Sequence, residues 1–159
     1  MSLFDRRAVL LMPLAVAACG FQPVYGTGGN GQKLQDRVLV SEPDNREAFL
    51  VTRRIEQRLG RGSDPVYDLS LVVTSQAEGL AINRQGNITR YNLLGAADYV
   101  LTDNRTGQIA ASGSVDNFTG YSATGTSVAT LAAEKDARER LMVILADQIV
   151  TRLLSTDLG

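Results

Sequence analysis

Tyr67-Asp68-Leu69-Ser70-Leu71-Val72-Val73-Thr74 is the stretch that decides the fold. Tyr67, Leu69, Leu71 and Val73 alternate with Asp68, Ser70 and Thr74, and a period of two marks a strand with one buried face. Asp64-Pro65 supplies a turn just before it. Downstream the pattern resumes at Ala81 and Ile82 after a phase change, which predicts a bulge near Gly79. Asn83 to Asn87, with Gly86, reads as a hairpin turn. Ile88 to Thr102 is a second long strand, with Tyr91, Leu93, Ala97, Tyr99 and Leu101 on one face and Arg90, Asn92, Leu94, Ala96 and Asp98 on the other. Asp103 to Gly107 is a turn, and Gln108 to Tyr121 a third strand. Its face of Ile109, Ala111, Gly113 and Val115 is small enough for close packing against helices. Three strands in succession predict an antiparallel meander.

Helical periods flank the meander. Upstream, Arg37 to Val40 is a short β-type run, and Ser41-Glu42-Pro43-Asp44 opens a helix over 45–59. Asp44 and Glu47 have capping-box spacing, and Ala48, Val51, Ile55 and Leu59 form the apolar stripe. Gly60 and Gly62 stop it. Arg46, Arg53, Arg54 and Arg58 read as its solvated face. Downstream, a polar loop over 122–127 leads into a helix over 128–154, with Ala133, Ala137, Leu141, Ile144, Leu145, Ile149 and Leu153 as its stripe. The order β-α-β-β-β-α predicts an α+β two-layer sandwich over residues 34–159, one domain with two helices on one face of a roughly four-stranded sheet. The other face mixes polar and apolar side chains, so it is either solvated or met by a partner.

The first residues read as an address. Arg6 and Arg7 form a positive n-region, and Ala8 to Ala18 is an uncharged, mostly apolar run. A helix needs about 20 residues to span a bilayer, so this run has the length of a signal-peptide core instead. It ends at Val16-Ala17-Ala18-Cys19, which resembles the bacterial lipobox. That resemblance implies a signal peptide over 1–18, cleavage between Ala18 and Cys19, and acylation of Cys19. Two or three acyl chains hold a protein stably to a membrane. Gly20 follows the cysteine; in lipoproteins of this pattern an aspartate there signals inner-membrane retention, so glycine implies the outer membrane. Residues 19–33, rich in glycine, read as a lipidated flexible tether. Losing Arg6, Arg7 and Asp5 with the leader takes the net charge from −1 to −2.

Composition excludes much chemistry. The 159 residues include no histidine and one cysteine. The commonest general base and metal ligand is missing, and one cysteine makes neither an internal disulfide nor a thiolate zinc site. No metal site and no cofactor beyond the covalent lipid is expected. A net charge near zero argues against nucleic acid as a partner. Ser/Lys catalysis would need Lys33 or Lys135, one in the tether and one beside Glu134 and Asp136. Asp98 and Asp116 are the candidate paired carboxylates, with exposed edge carboxylates as the simpler reading. The stretch Asn83 to Arg90 is more suggestive. It sets Arg84 and Arg90, with three amide side chains, at the end of two long strands, a composition suited to phosphorylated sugars.

Cys19-Gly20-Phe21-Gln22-Pro23-Val24-Tyr25-Gly26 is similar to the start of the LptE family of lipopolysaccharide-assembly lipoproteins, Cys-Gly-Phe-x-Pro-Leu-Tyr-Gly, with valine in place of leucine. The resemblance extends to the order of elements and to Ala137-Arg138-Glu139-Arg140-Leu141 and Leu145-Ala146-Asp147-Gln148-Ile149 of the last helix. It implies a non-enzymatic outer-membrane subunit of the lipopolysaccharide export machine. Such a subunit plugs and helps assemble the β-barrel LptD and binds lipopolysaccharide. Family ligand residues do not map onto this chain by motif, so Arg84 and Arg90 stand as candidates on charge and position alone. An adaptor of another periplasmic transport or assembly complex is the alternative.

Overall fold

The computed structural model describes residues 29–158. The expected signal peptide, Ala18, Cys19 and most of the expected tether lie outside the described residues. The elements are α1 (Asn30–Leu34), β1 (Val38–Val40), α2 (Arg46–Leu59), β2 (Tyr67–Ile82), β3 (Ile88–Asp103), β4 (Ile109–Ser122) and α3 (Ser127–Ser155). The sheet runs β1-β2-β3-β4. β1 is parallel to β2, with α2 as the crossover, and β2, β3 and β4 form the expected antiparallel meander. The fold is α+β, with α1 added to the expected order. Residues 30–33, which the sequence reading assigns to the tether, are helical, and Leu34 at the end of α1 is buried in the core.

Alternation along the strands builds one side of the core. Leu69, Leu93, Ala97, Leu101 and Val115 are fully buried, and they meet Val51, Ile55 and Leu59 of α2 and Leu141, Leu145, Ile149 and Leu153 of α3. α3 lies close over β3. A Cβ placed on Gly95 would come within 2.9 Å of Leu141 Cδ2 and 3.1 Å of Leu145 Cδ1, so only glycine fits under that contact. The register of β2 against β3 shifts between Gly79 and Ala81, which is where the broken alternation places a bulge.

Several local readings are corrected. Asn45, not Asp44, caps α2, its Oδ1 accepting from the Ala48 N–H at 2.8 Å. Glu47 is thereby released from a capping box. Its Oε1 lies 3.3 Å from Arg138 Nε and accepts a long bond, 3.4 Å, from Ser75 Oγ. Ile109 is 65% exposed, not inward. Leu101 pairs with Ala111 but Thr102 with Ile109, and this extra residue turns Ile109 out while Ala110 packs against the core. In α3, Ile144 is only half-buried, whereas Met142, Ala146 and Val150 are buried. α3 touches both the sheet and α2, so its buried face is wider than one stripe.

Of the four α2 arginines only Arg53 is exposed with no ion pair among the described residues; the other three face carboxylates of α3. Arg54 and Arg58 both donate to Asp147 of α3, and Arg46 sits 3.9 Å from Glu139. Arg138 bonds Glu134 at 2.7 Å within α3, and Arg140 pairs with Asp136. The charges of the helix layer are thus largely spent on one another.

Candidate functional site at the β2–β3 hairpin

The hairpin projects because its strands outrun a helix. Sixteen strand residues at about 3.3 Å each reach roughly 50 Å, while the fourteen of α2 at about 1.5 Å each reach roughly 21 Å. From Gln76 to Leu80 every residue of β2 is exposed. At the tip the chain reverses through Asn83–Asn87. Asn83 N–H donates to Asn87 O at 2.9 Å, and Gly86 N–H to Asn83 O at 3.0 Å. Gly86 adopts φ +86°, which the turn requires. The Asn83 side chain organises the loop: its Oδ1 accepts from Gln85 N–H at 3.0 Å and from Asn87 N–H at 2.9 Å.

Arg84 sits inside this turn, and Arg90 sits on β3 opposite Ala81 of β2 and Ser122 of β4. Both are exposed, and among the described residues neither forms an ion pair with a carboxylate. Arg90 lines a shallow pocket of about 360 Å³ with Ala81, Thr89, Gly120, Tyr121 and Ser122. Behind it, Tyr91 and Tyr121 stack with centroids 5.2 Å apart. Burial, with a smaller push from Glu134, raises the Tyr121 phenol and keeps it neutral. Guanidinium groups without carboxylate partners, one on an organised loop and one on the β3 ladder, can take the phosphate or carboxylate oxygens of a ligand in bidentate geometry.

The other candidates do not converge. Asp98 and Asp116 are both exposed on the open sheet face, Asp98 opposite Ser114 and Asp116 opposite Ala96; Asp116 lines a hollow of about 370 Å³ with Leu94 and Phe118 that does not include Asp98. Lys135 is exposed on α3. Among the described residues no three metal-ligating side chains cluster, and no helix is long and apolar enough to cross a membrane.

Sequence reasoning missed the apolar residues around the tip. Leu80, Ile82 and Ile88 are 59%, 68% and 36% exposed, and Val128 and Leu131 at the start of α3 are 78% and 65% exposed. The available signal was the mismatch between hairpin length and α2 length, which leaves part of a strand with no layer to cover it.

The sequence model of a family described as LptE, lipopolysaccharide-assembly, matches residues 36–153. The chain belongs to the LptE family. Its part is in lipopolysaccharide assembly. No curated protein matches the chain. Among solved structures, one from Caulobacter crescentus CB15 is 24% identical with a TM-score of 0.67, covering 82% of this chain and 96% of that one. The rare lipoprotein B of Shewanella oneidensis is 18% identical with a TM-score of 0.59, covering 75% and 92%. A minor lipoprotein from Acinetobacter baumannii is 14% identical with a TM-score of 0.55, covering 75% and 89%. At these identities the likeness is one of fold. The LptE match begins at Asp36, so it reaches neither Cys19 nor α1, but it includes the whole hairpin with Arg84 and Arg90.

Proposed function

We propose that this LptE-family chain is an outer-membrane lipoprotein subunit of the lipopolysaccharide export machine. Acyl chains on Cys19 hold it to the membrane after cleavage behind Ala18. The sandwich plugs the β-barrel LptD and assists its assembly, and Arg84 and Arg90 receive lipopolysaccharide phosphates. No step in this role is catalytic. The observation that carries the ligand part is the contrast between two sets of arginines. Arg46, Arg54, Arg58, Arg138 and Arg140 of the helix layer face carboxylates, while the two at the hairpin tip are exposed without such partners in a protein of lipopolysaccharide assembly. The open sheet face, which mixes polar side chains with exposed Val72, Leu94 and Phe118, is free to meet the wall of a barrel interior.

The test is co-purification of the mature, membrane-anchored chain from its own envelope. A large heat-modifiable β-barrel in the eluate supports the plug; recovery of inner-membrane components only sinks it. Cys19→Ala is expected to release the chain from the membrane fraction. Arg84→Ala with Arg90→Ala is expected to weaken lipopolysaccharide binding at least tenfold, and unchanged binding removes the two arginines from the site.

A further inference from the structure

α2 and α3 lie parallel and in register. Arg54 and Asp147 are 93 residues apart in the chain, and Arg46 and Glu139 have the same spacing. Two ion-pair bars therefore cross the seam between the helices about two turns apart. Between them the seam opens into a groove of about 460 Å³, with Leu50, Val143 and Ile144 as its apolar lining and Arg53, Gln57 and Arg140 on its rims. Leu50 and Ile144 are half-buried, and Val143 is 40% exposed. Phe49, one turn before Arg53 on α2, is 51% exposed. The charged groups of the groove are matched within the protein with one exception. Asp147 holds Arg54, Asp136 holds Arg140, and Glu139 faces Arg46. Arg53 is exposed and has no carboxylate partner among the described residues.

An occupant that suits this groove brings apolar side chains for its floor and a negative charge for the α2 rim. The walls are helices whose backbone groups are already bonded within each helix, so an extended segment would find no main-chain partners there. A helix arrives with its own backbone bonds made, and its ridge of side chains seats in the furrow between two others. The eight residues from one ion-pair bar to the next span about 12 Å, room for two anchors one turn apart. We propose that the α2–α3 groove docks an amphipathic helix of a partner protein, which sets two apolar residues on Leu50, Val143 and Ile144 and an aspartate or glutamate on Arg53. Phe49 widens the apolar contact beside Arg53. The wall of a β-barrel is built of strands, so this helix belongs to a component other than that wall. Docking on the helix layer leaves the hairpin tip and the open sheet face free.

The test places a photocrosslinking side chain at Phe49, and separately at Val143, in the full-length chain in its own envelope. Both positions are expected to capture one partner segment, identified by mass spectrometry of the linked peptide. That segment is expected to carry apolar residues at helical spacing and a carboxylate within one turn of them. Arg53→Glu in either labelled chain is expected to lower the capture about tenfold, because repulsion replaces attraction at the rim. Changing the partner's carboxylate to arginine is expected to restore it. Arg53 has no carboxylate to lose, so Arg53→Glu is expected to melt with the wild type. The proposal is overturned if neither position captures a protein, if the two capture different proteins, or if Arg53→Glu leaves the capture unchanged. Capture of a second copy of this chain, of a lipid or of a barrel strand also overturns it. A captured barrel strand would still support the plug, and barrel co-purification without any crosslink from the groove leaves the plug standing.

Discussion

Arg54 of α2 and Asp147 of α3 form a two-pronged pair, Nε to Oδ1 and Nη2 to Oδ2, each 3.0 Å. Arg58, one turn further along α2, adds a third bond to Asp147 Oδ1 at 2.9 Å. The hydrogen bond to Asp147, then its charge, raises the Arg54 guanidinium further above its ordinary range. One carboxylate therefore ties two arginines and sets how α2 lies on α3. Asp147→Asn removes the charge but keeps the shape. About a third of each side chain remains exposed, so solvent screens the effect. The expected result is a melting temperature lower by about 2–4 °C at low salt, shrinking in 1 M NaCl. Thermal melts at two ionic strengths check it; a salt-independent drop would assign the effect to packing instead.

Gly95 lies on β3 directly beneath Leu141 and Leu145 of α3. Gly95→Val would force the helix off the sheet, with overpacking expected to cost about 1–3 kcal/mol. Denaturant unfolding measures it. Gly86→Asn, at a turn position with open space around it and a conformation that asparagine tolerates, is the control expected to stay near the wild type.

The meander was legible because Tyr67–Val73 and Tyr91–Leu101 each keep a period of two over many residues. Even the bulge was visible, since a strand that changes phase must insert or lose a residue. What failed was local choice between neighbours of like chemistry. Asp44 and Asn45 are both good caps, and which one sits at the helix start depends on how the chain leaves β1. Ile109 looked inward because a one-residue bulge flips a face, and nothing in Gln108-Ile109-Ala110-Ala111 announces one. The arginines of α2 looked solvated because their partner, Asp147, lies 93 residues from Arg54. At the site, Arg84 and Arg90 were readable as a charge pair at a turn. Their lack of carboxylate partners and the exposed Leu80, Ile82 and Ile88 are properties of three-dimensional neighbours, and periodicity carries no record of those.

Asp103 opens the β3–β4 turn, its Oδ2 accepting from Arg105 Nη2 at 2.8 Å and its Oδ1 from the Arg105 backbone N–H at 2.8 Å. The Arg105 side-chain bond first, and the backbone bond second, hold its carboxyl below the usual carboxylate range. A carboxylate with a depressed folded-state pKa stabilises the fold above its unfolded value of about 3.9 and loses that contribution as pH falls through the folded value. Arg105→Gln should therefore lower the melting temperature near pH 6, and the gap to the wild type should close as the pH drops below 3.9. Melts across that acid range test the sign; a gap that widens on acidification would refute it.

Asn83 holds the hairpin tip through a single oxygen that accepts from two backbone amides, Gln85 and Asn87. Asn83→Ala deletes both bonds in an exposed loop far from the buried layer, so global stability should change by less than about 1 kcal/mol. The loop itself should loosen, with the Gln85 and Asn87 amides exchanging at least tenfold faster with solvent. Arg84 is carried by that loop, so its guanidinium would have to be ordered anew on each binding event. Lipopolysaccharide affinity should then fall severalfold through a residue with no charge and no predicted ligand contact. Arg90 stands on the β3 ladder instead, so its share of the binding should survive. Combining Asn83→Ala with Arg84→Ala separates the two effects: if Asn83 acts by positioning Arg84, the double variant binds no more weakly than Arg84→Ala alone, and an additive loss would place Asn83 itself in contact with the ligand.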